Sequence, residues 1–299
     1  MTATFERSTG GATHVASLEE AGGYRMRFAR VHARSAPCEG AIINTGGGMA
    51  GGDRLCIAVE AKQRSNLLLS TPAAERIYHS TGSDTEIDIA LRLEAGSRLA
   101  WLPQETILFS GARLARRLVV DMDESATLIL AEATIFGRGA MGETLGRGLF
   151  ADRWRIRRNG RLLHAEETRL EGPIADLLAR RAIGNGAGAV ATAVMVSPQV
   201  EDRLDAVRAT LPDAACECGA SAWNGMLVGR FLAKEPRALH ADLVRFLLTA
   251  MQGRLPRLWT AAGGVAMRRS AAEVGPAAPS MPEGEGDMTR EAEVEPDPA

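Results

Sequence analysis

The stretch of this chain best suited to contact a ligand is a run of glycines. Residues Ile42–Asp53 read IINTGGGMAGGD, with Gly46, Gly47, Gly48, Gly51 and Gly52 set between two apolar, strand-like runs. Glycine is used where the backbone takes positive φ or passes close to another group. The stretch therefore predicts a tight loop that touches a phosphate, a metal path, a partner protein or its own core. Residues 46–51 satisfy the G-x-G-x-x-G spacing of a dinucleotide loop. That chemistry needs a helix directly after the glycines, because the helix N-terminus meets the pyrophosphate. Here Arg54–Glu60 (RLCIAVE) alternates apolar residues with period two and predicts a strand instead. No Gly-Lys-Ser/Thr triplet is present. A glycine-loop enzyme acting on a nucleotide or phosphometabolite is the alternative reading, and it lacks its helix.

A second glycine-rich segment, Thr134–Gly148 (TIFGRGAMGETLGRG), carries Arg138 and Glu143 just after Glu132. It reads as a polar patch on a rigid loop that meets a partner or lines a passage, or as an Arg138–Glu143 ion pair that fixes the loop. The two are compatible, since charges inside a β body are usually paired. Trp101–Phe109 (WLPQETILF) places Gln104 and Glu105 beside a proline, either to contact a cation or a partner's backbone or as an exposed turn. Cys216 and Cys218 share one strand face as a soft-metal pair. Metal sites need more than two ligands and no histidine stands near, so the other reading is two small buried residues. His14, His32, His79, His164 and His240 are scattered, and neither a G-x-S-x-G elbow nor an H-E-x-x-H helix occurs. These residues describe a binding body, with no catalytic site in view.

The elements around them are mostly strands. Tyr24–Ala33, Arg54–Glu60, Asn66–Ser70, Glu86–Glu94, Arg98–Leu102, Arg117–Asp123 and Thr127–Phe136 follow at short intervals. In Glu86–Glu94, Ile87, Ile89, Leu91 and Leu93 share one face and charged residues the other, which predicts a sheet wet on one side and favours antiparallel pairing. Asn159-Gly160 and Asn224-Gly225 are hairpin signals, because a type I′ turn needs positive φ twice. Pro198–Leu211 and Pro236–Gln252 carry helical spacing. The expected fold is mainly β: many short, largely antiparallel strands in a β-sandwich or β-helix-like body, with about two helices near the C-terminus. Residues 1–23 read as a loose lead-in, 24–262 as the folded domain, and 263–299 as an acidic, disordered tail poor in large apolar residues.

Composition excludes some classes. The 299 residues are 45% hydrophobic and 24% charged with net charge −2, so no basic field points to nucleic acid. No apolar run approaches the ~20 residues of a membrane span. The first residues carry acids and no apolar core, so they do not read as a secretion signal. The four cysteines then read as reduced thiols of a cytoplasmic protein.

Five motifs in order carry a family resemblance. Asn44–Gly48 with Gly51-Gly52-Asp53, Thr71-Pro72-Ala73-Ala74, Leu102–Ile107, Phe136–Glu143 and Leu255–Trp259 resemble the urease accessory protein UreD (UreH) family, over about Tyr24 to Trp259. Two details depart from the family pattern: a third glycine, Gly48, and His79 where a basic residue follows the tyrosine. The resemblance implies a non-catalytic maturation chaperone. Such proteins bind the urease apoprotein (UreABC), assemble with UreF and the GTPase UreG, and help deliver nickel to an active site bridged by a carbamylated lysine. It implies no tightly bound cofactor, only transient nickel. It makes Asp53, Glu105, Glu132 and Glu143 candidate passage acids, and Gly46, Gly47, Gly51, Gly52, Thr71, Gln104 and Arg138 candidate motif or partner-contact residues.

Overall fold

The computed structural model describes residues 1–29, 36–252 and 255–262. The chain opens with β1 (Thr2–Arg7), β2 (Thr13–Glu19), β3 (Tyr24–Phe28) and β4 (Cys38–Asn44). Three coils of a solenoid follow. They are β5 (Arg54–Ala61) with β6 (Asn66–Ser70) and β7 (Glu75–Ile77), β8 (Thr85–Leu93) with β9 (Arg98–Leu102) and β10 (Thr106–Leu108), and β11 (Arg113–Met122) with β12 (Thr127–Phe136). The hairpin β13 (Gly148–Arg158) and β14 (Arg161–Gly172) comes next, then α1 (Ile174–Ala179), β15 (Ala189–Val196) and α2 (Leu204–Arg208). A second hairpin, β16 (Glu217–Trp223) and β17 (Met226–Ala233), precedes α3 (Pro236–Ala250) and α4 (Arg257–Ala262).

The coils stack into two sheets facing one core. One runs β14-β13-β11-β8-β5-β1-β2; the main path of the other runs β16-β17-β15-β12-β9-β6-β4-β3. The register repeats with the coil: Arg54 pairs Glu86 and Glu86 pairs Ala115 in the first sheet, while Asn66 pairs Arg98 and Arg98 pairs Thr127 in the second. The turns between the sheets repeat too. Ser65 and Ser97 are fully buried and donate to the carbonyls of Lys62 and Glu94 at 2.7 and 2.6 Å; Ala126, also fully buried, takes their place in the third coil. Helices α3 and α4 lie on the outer face of the second sheet, where Phe231, Leu243, Phe246 and Trp259 form a separate apolar layer.

The mainly β, solenoid-like body with late helices agrees with the sequence expectation. The sense of pairing does not, because among the described residues nine of the fifteen strand pairings are parallel. A coil that returns to the same sheet after each turn must pair parallel with its predecessor. Its outer face stays wet, so β8 shows the alternation of a half-exposed strand all the same. The lead-in is a second correction. Ala3 and Phe5 are fully buried, β1 pairs parallel with β5, and β1 and β2 extend the first sheet. The expected strand at Tyr24–Ala33 is β3 up to Phe28; residues 30–33 and the predicted tail at 263–299 lie outside the described residues. The predicted helix at Pro198–Leu211 is a 3₁₀ turn, Val200–Arg203, followed by the short α2.

The first glycine loop is shaped by its own neighbours. Gly47 and Gly52 take φ of +78° and +92°. A Cβ on Gly51 would collide with Ser80 Oγ and lie 2.8 Å from the Ser83 carbonyl oxygen. Gly51→Ala should therefore destabilise the fold by about 1–3 kcal/mol, the usual cost of overpacking. Gly46→Ala, whose Cβ would meet Asn44 Oδ1 at 3.4 Å and Gly48 O at 3.9 Å, both ordinary contacts, should change stability by no more than about 0.5 kcal/mol. Urea midpoints of the two variants check this. Equal midpoints would mean that close packing is not what requires glycine here.

Candidate functional site

The two glycine loops lie along the edge of the solenoid where successive coils cross from the second sheet to the first, and side chains of the turns between them link them. Met49 bridges Ile77, with Met49 N–H donating to Arg76 O and Tyr78 N–H to Met49 O, both at 2.7 Å. The Tyr78 hydroxyl donates to Gly47 O at 3.1 Å, and its ring stands edge-on to Phe109 at 5.0 Å. The Arg138 guanidinium lies 4.4 Å over the Phe109 ring and pairs through two nitrogens with Glu143 Oε2. Glu143 Oε1 accepts the Ser110 N–H at 2.7 Å. The Arg138–Glu143 pair thus forms, and it ties the second loop to the segment beneath the first. Hydrogen bonds from Arg138 and Ser110 hold the Glu143 carboxyl below the usual range. Asp53 is exposed and accepts the Ala50 N–H at 2.8 Å, closing its own loop. The chain leaves this loop as β5, so no helix N-terminus stands behind the glycines.

Thr71, Gln104 and Glu105 belong to a second set of contacts. The Thr71 hydroxyl donates to Ala73 O at 3.0 Å and accepts the Gln104 N–H at 2.9 Å, joining the turns after β6 and β9. Glu105 Oε1 lies 2.7 Å from His240 Nδ1, whose ring stacks on Trp259 at 5.5 Å. Trp259 Nε1 in turn donates to Leu102 O at 2.8 Å. This closed circuit clamps α3 and α4 to the body. Burial pushes the Glu105 carboxyl up, but the hydrogen bond from His240, a backbone hydrogen bond and the attraction of His240 together outweigh it and leave the group below its ordinary range.

Glu132 stands apart from both sets, inside the core. It is 5% exposed, with Oε2 2.5 Å from Arg116 Nη1 and Oε1 accepting Trp101 Nε1–H at 2.9 Å. Arg116, with only 3% of its side chain exposed, also holds both oxygens of Asp152 at 3.0 and 2.6 Å. Burial raises the Glu132 carboxyl, against the pull of Arg116; Arg116 itself is kept charged by its two carboxylates. The polar line continues sideways. Glu132 sits beside Thr192, and Thr192 beside Arg230, in the register of β12, β15 and β17. Arg230 grips Glu166 of the opposite sheet at 2.7 and 2.8 Å, and His164 lies 3.2 Å from the same carboxylate. Burial pushes Glu166 up, yet the hydrogen bonds of His164 and Arg230 win and bring it from 4.5 down to about 2. A charged seam thus crosses between the two sheets, from buried Arg116 to Arg230, whose side chain is 54% exposed.

The four predicted acids therefore occupy separate places. Among the described residues no group of three or more His, Cys, Asp or Glu is arranged to hold a metal ion. Cys216 and Cys218 have thiols pushed up by burial beside Asp242, a poor start for a thiolate site. Comparison with known proteins gives the family. The UreD urease accessory protein model matches residues 1–260. This chain belongs to the UreD family. Proteins named urease accessory protein UreD from Methylobacterium sp. (strain 4-46) and Azorhizobium caulinodans are 48% and 44% identical to it, over 84% and 83% of this chain and 90% and 91% of theirs. No described helix of this UreD-family chain is long and apolar enough to cross a membrane.

Sequence reasoning missed Arg116, Asp152, His164, Glu166 and Arg230, although a signal exists. Arg116 shares its strand phase with buried Leu114, Leu118 and Val120, and Asp152 with Phe150, Trp154 and Ile156. A charge in the core phase of a strand has to find a partner across the sheets. The depressed Glu166 carboxyl adds stability that is fully present above its ordinary 4.5 and fades as pH falls toward about 2. Arg230→Met should lower the melting temperature at neutral pH, and the gap from wild type should narrow as pH drops below that ordinary value. A gap that stays constant down through that window would show that the Arg230–Glu166 pair does not set the acid stability.

Proposed function

We propose that this chain is a urease maturation chaperone. It binds the urease apoprotein and, with UreF and UreG, assists GTP-dependent insertion of nickel into the urease active site. Membership of the UreD family supports a role in urease maturation. The observation that carries the nickel part is the charged seam. A β body built for stability alone would fill the Arg116–Glu132–Asp152 positions with apolar side chains, because replacing a buried ion cluster by packed hydrophobes is often neutral or stabilising. A line of carboxylates leading from the core toward the surface offers oxygen donors to a divalent cation in transit once the paired guanidinium groups withdraw.

The chemistry of the donors fits transfer rather than storage. Carboxylate oxygens bind borderline divalent ions more weakly than thiolates or imidazoles do. Glu132 is the candidate passage acid that lies inside the body. Asp53 and Glu143 sit in the two glycine loops and Glu105 in the helix clamp, and the family motif residues Gly46, Gly47, Gly51, Gly52, Thr71, Gln104 and Arg138 lie in or beside these segments and shape them for partners.

Co-expression of the chain with UreF, UreG and apo-urease, followed by purification on a tag and a urease assay with nickel and GTP, tests this reading. Co-purification should occur, and activation should fall to background when the chain is omitted. Glu132→Gln keeps the shape but removes the charge. It should leave the complex intact and lower nickel-dependent activation by roughly tenfold, the lower end of what loss of one ligand-supporting group costs. Unchanged activation by the omission mixture would refute the chaperone reading. Unchanged activation by Glu132→Gln alone would remove the seam from the nickel path.

A further inference from the structure

The glycine-loop edge of the body carries more unpaired positive charge than negative. Arg147, Arg180, Arg181 and Lys234 are exposed there, and none has an acidic partner among the described residues. The exposed acids there without a cationic partner are Asp176, Glu235 and Glu217, the last accepting from Asn185 Nδ2 at 2.6 Å. These segments form one surface. Ala175 N–H donates to Leu145 O at 3.1 Å, joining α1 to the second glycine loop; Phe136 N–H donates to Gly188 O at 2.8 Å, and Gly188 N–H to Ala233 O at 2.9 Å.

Two large apolar side chains stand out from this edge: Met141, 75% exposed, and Ile183, 44% exposed. Met141 closes a 3₁₀ turn, Gly139–Met141, directly inside the span that the Arg138–Glu143 pair clamps. Its backbone is thereby fixed before any partner arrives, and a preordered anchor costs less entropy on binding. An apolar side chain on a rigid turn with unpaired cations around it matches the makeup of an interface: an anchor that fills a pocket, with charges at the rim that steer association.

The geometry points to this edge as a docking face for an acidic protein surface, with Met141 and Ile183 entering apolar pockets and the free cations facing carboxylates. A protein is favoured over nucleic acid. Asp176 and Glu235 interrupt the positive charge, the exposed anchors are aliphatic rather than stacking aromatics, and the chain's net charge is −2. The inference rests on the chaperone reading only in taking its test partners from the urease machinery.

Tagged full-length chain is used to capture purified UreF and purified apo-urease separately, at low and at high salt. Arg147→Glu with Arg181→Glu, and separately Met141→Asp, should each weaken capture of the same partner by about tenfold or more. Only the charge variant should abolish the salt dependence. Leu162→Asp, at an exposed site on the β13–β14 hairpin, serves as the control and should leave capture unchanged. Circular dichroism and melting temperature confirm folding, and Met141→Ala replaces Met141→Asp if the latter unfolds. Wild-type-like capture of both partners by both variants would overturn the docking face while leaving the chaperone reading standing. A wild-type chain that captures neither partner would overturn both. Loss of duplex DNA binding in the charge variant with protein capture intact would show that the cations serve nucleic acid, and would also sink the proposal.

Discussion

Arg116 bridges carboxylates from the two sheets of the body. It leaves β11, meets Asp152 of β13 on its own sheet, and reaches Glu132 of β12 across the core. Beyond Thr106 and the indole N–H groups of Trp101 and Trp154, which bond to this cluster, the surroundings are the apolar packing of a stacked solenoid: Leu114, Leu118, Leu128 and Leu130 are all fully buried. Removing ions from water costs several kcal/mol each, and only close, hydrogen-bonded pairing offsets it. The pairing is therefore obligatory. Loss of Arg116 would leave two carboxylates buried without a counter-charge, so sequence, register and fold are coupled at this point. A one-residue slip of β12 would turn Glu132 to the helix-covered face and leave Arg116 without it.

How far the sequence discloses this architecture depends on the range of the interaction involved. Local features are legible. Asn159-Gly160 takes φ of 48° and 74° and Asn224-Gly225 takes 53° and 72°, as type I′ hairpins demand. The 3–4 spacing of Leu239, Leu243, Phe246 and Leu247 gives α3. The strand at Glu86–Glu94 keeps its predicted inner face. What is not legible is long-range. Parallel pairing in a coil joins residues about thirty apart and leaves the same alternation as an antiparallel edge. The strand β1 has only Ala3 and Phe5 to mark a buried face, too few for a periodic signal, yet both are fully buried once β5 lies alongside. The partner of Glu105 is hidden for the same reason: His240 stands 135 residues away, whereas Arg138, the partner of Glu143, is local and legible.

The glycine loops show how residues whose spacing resembles a ligand cradle can be required by packing alone. Positive φ at Gly47 and Gly52, and close approach to Ser80 and Ser83 at Gly51, account for glycine at these positions through the loop's own packing. At Gly48 a Cβ would overlap the Tyr78 ring, so this glycine too is required by packing. The loop acts on what lies next to it. Tyr78, held by Gly47 O, supports Phe109, which supports Arg138, which fixes Glu143. Two segments about ninety residues apart in sequence thus behave as one rigid edge, and the aromatic and guanidinium contacts between them do not depend on solvent screening as a surface ion pair alone would.

The charged seam also constrains how a cation could use it. Glu132, Asp152 and Glu166 are already matched by Arg116, Arg230 and His164, so on the nickel-transfer reading a divalent ion meets carboxylates that are occupied. It can bind only where a guanidinium withdraws. Arg230 can do so at little cost because half of its side chain is in water; Arg116 cannot, because no solvent is there to receive it. The seam is therefore asymmetric, with an outer acid that exchanges partners easily and an inner pair that yields only if the two sheets or their surroundings shift. A free chain built this way holds its inner carboxylates closed to metal. Passage would then depend on a partner altering the packing around Arg116, which suits a protein whose family works as an accessory to another.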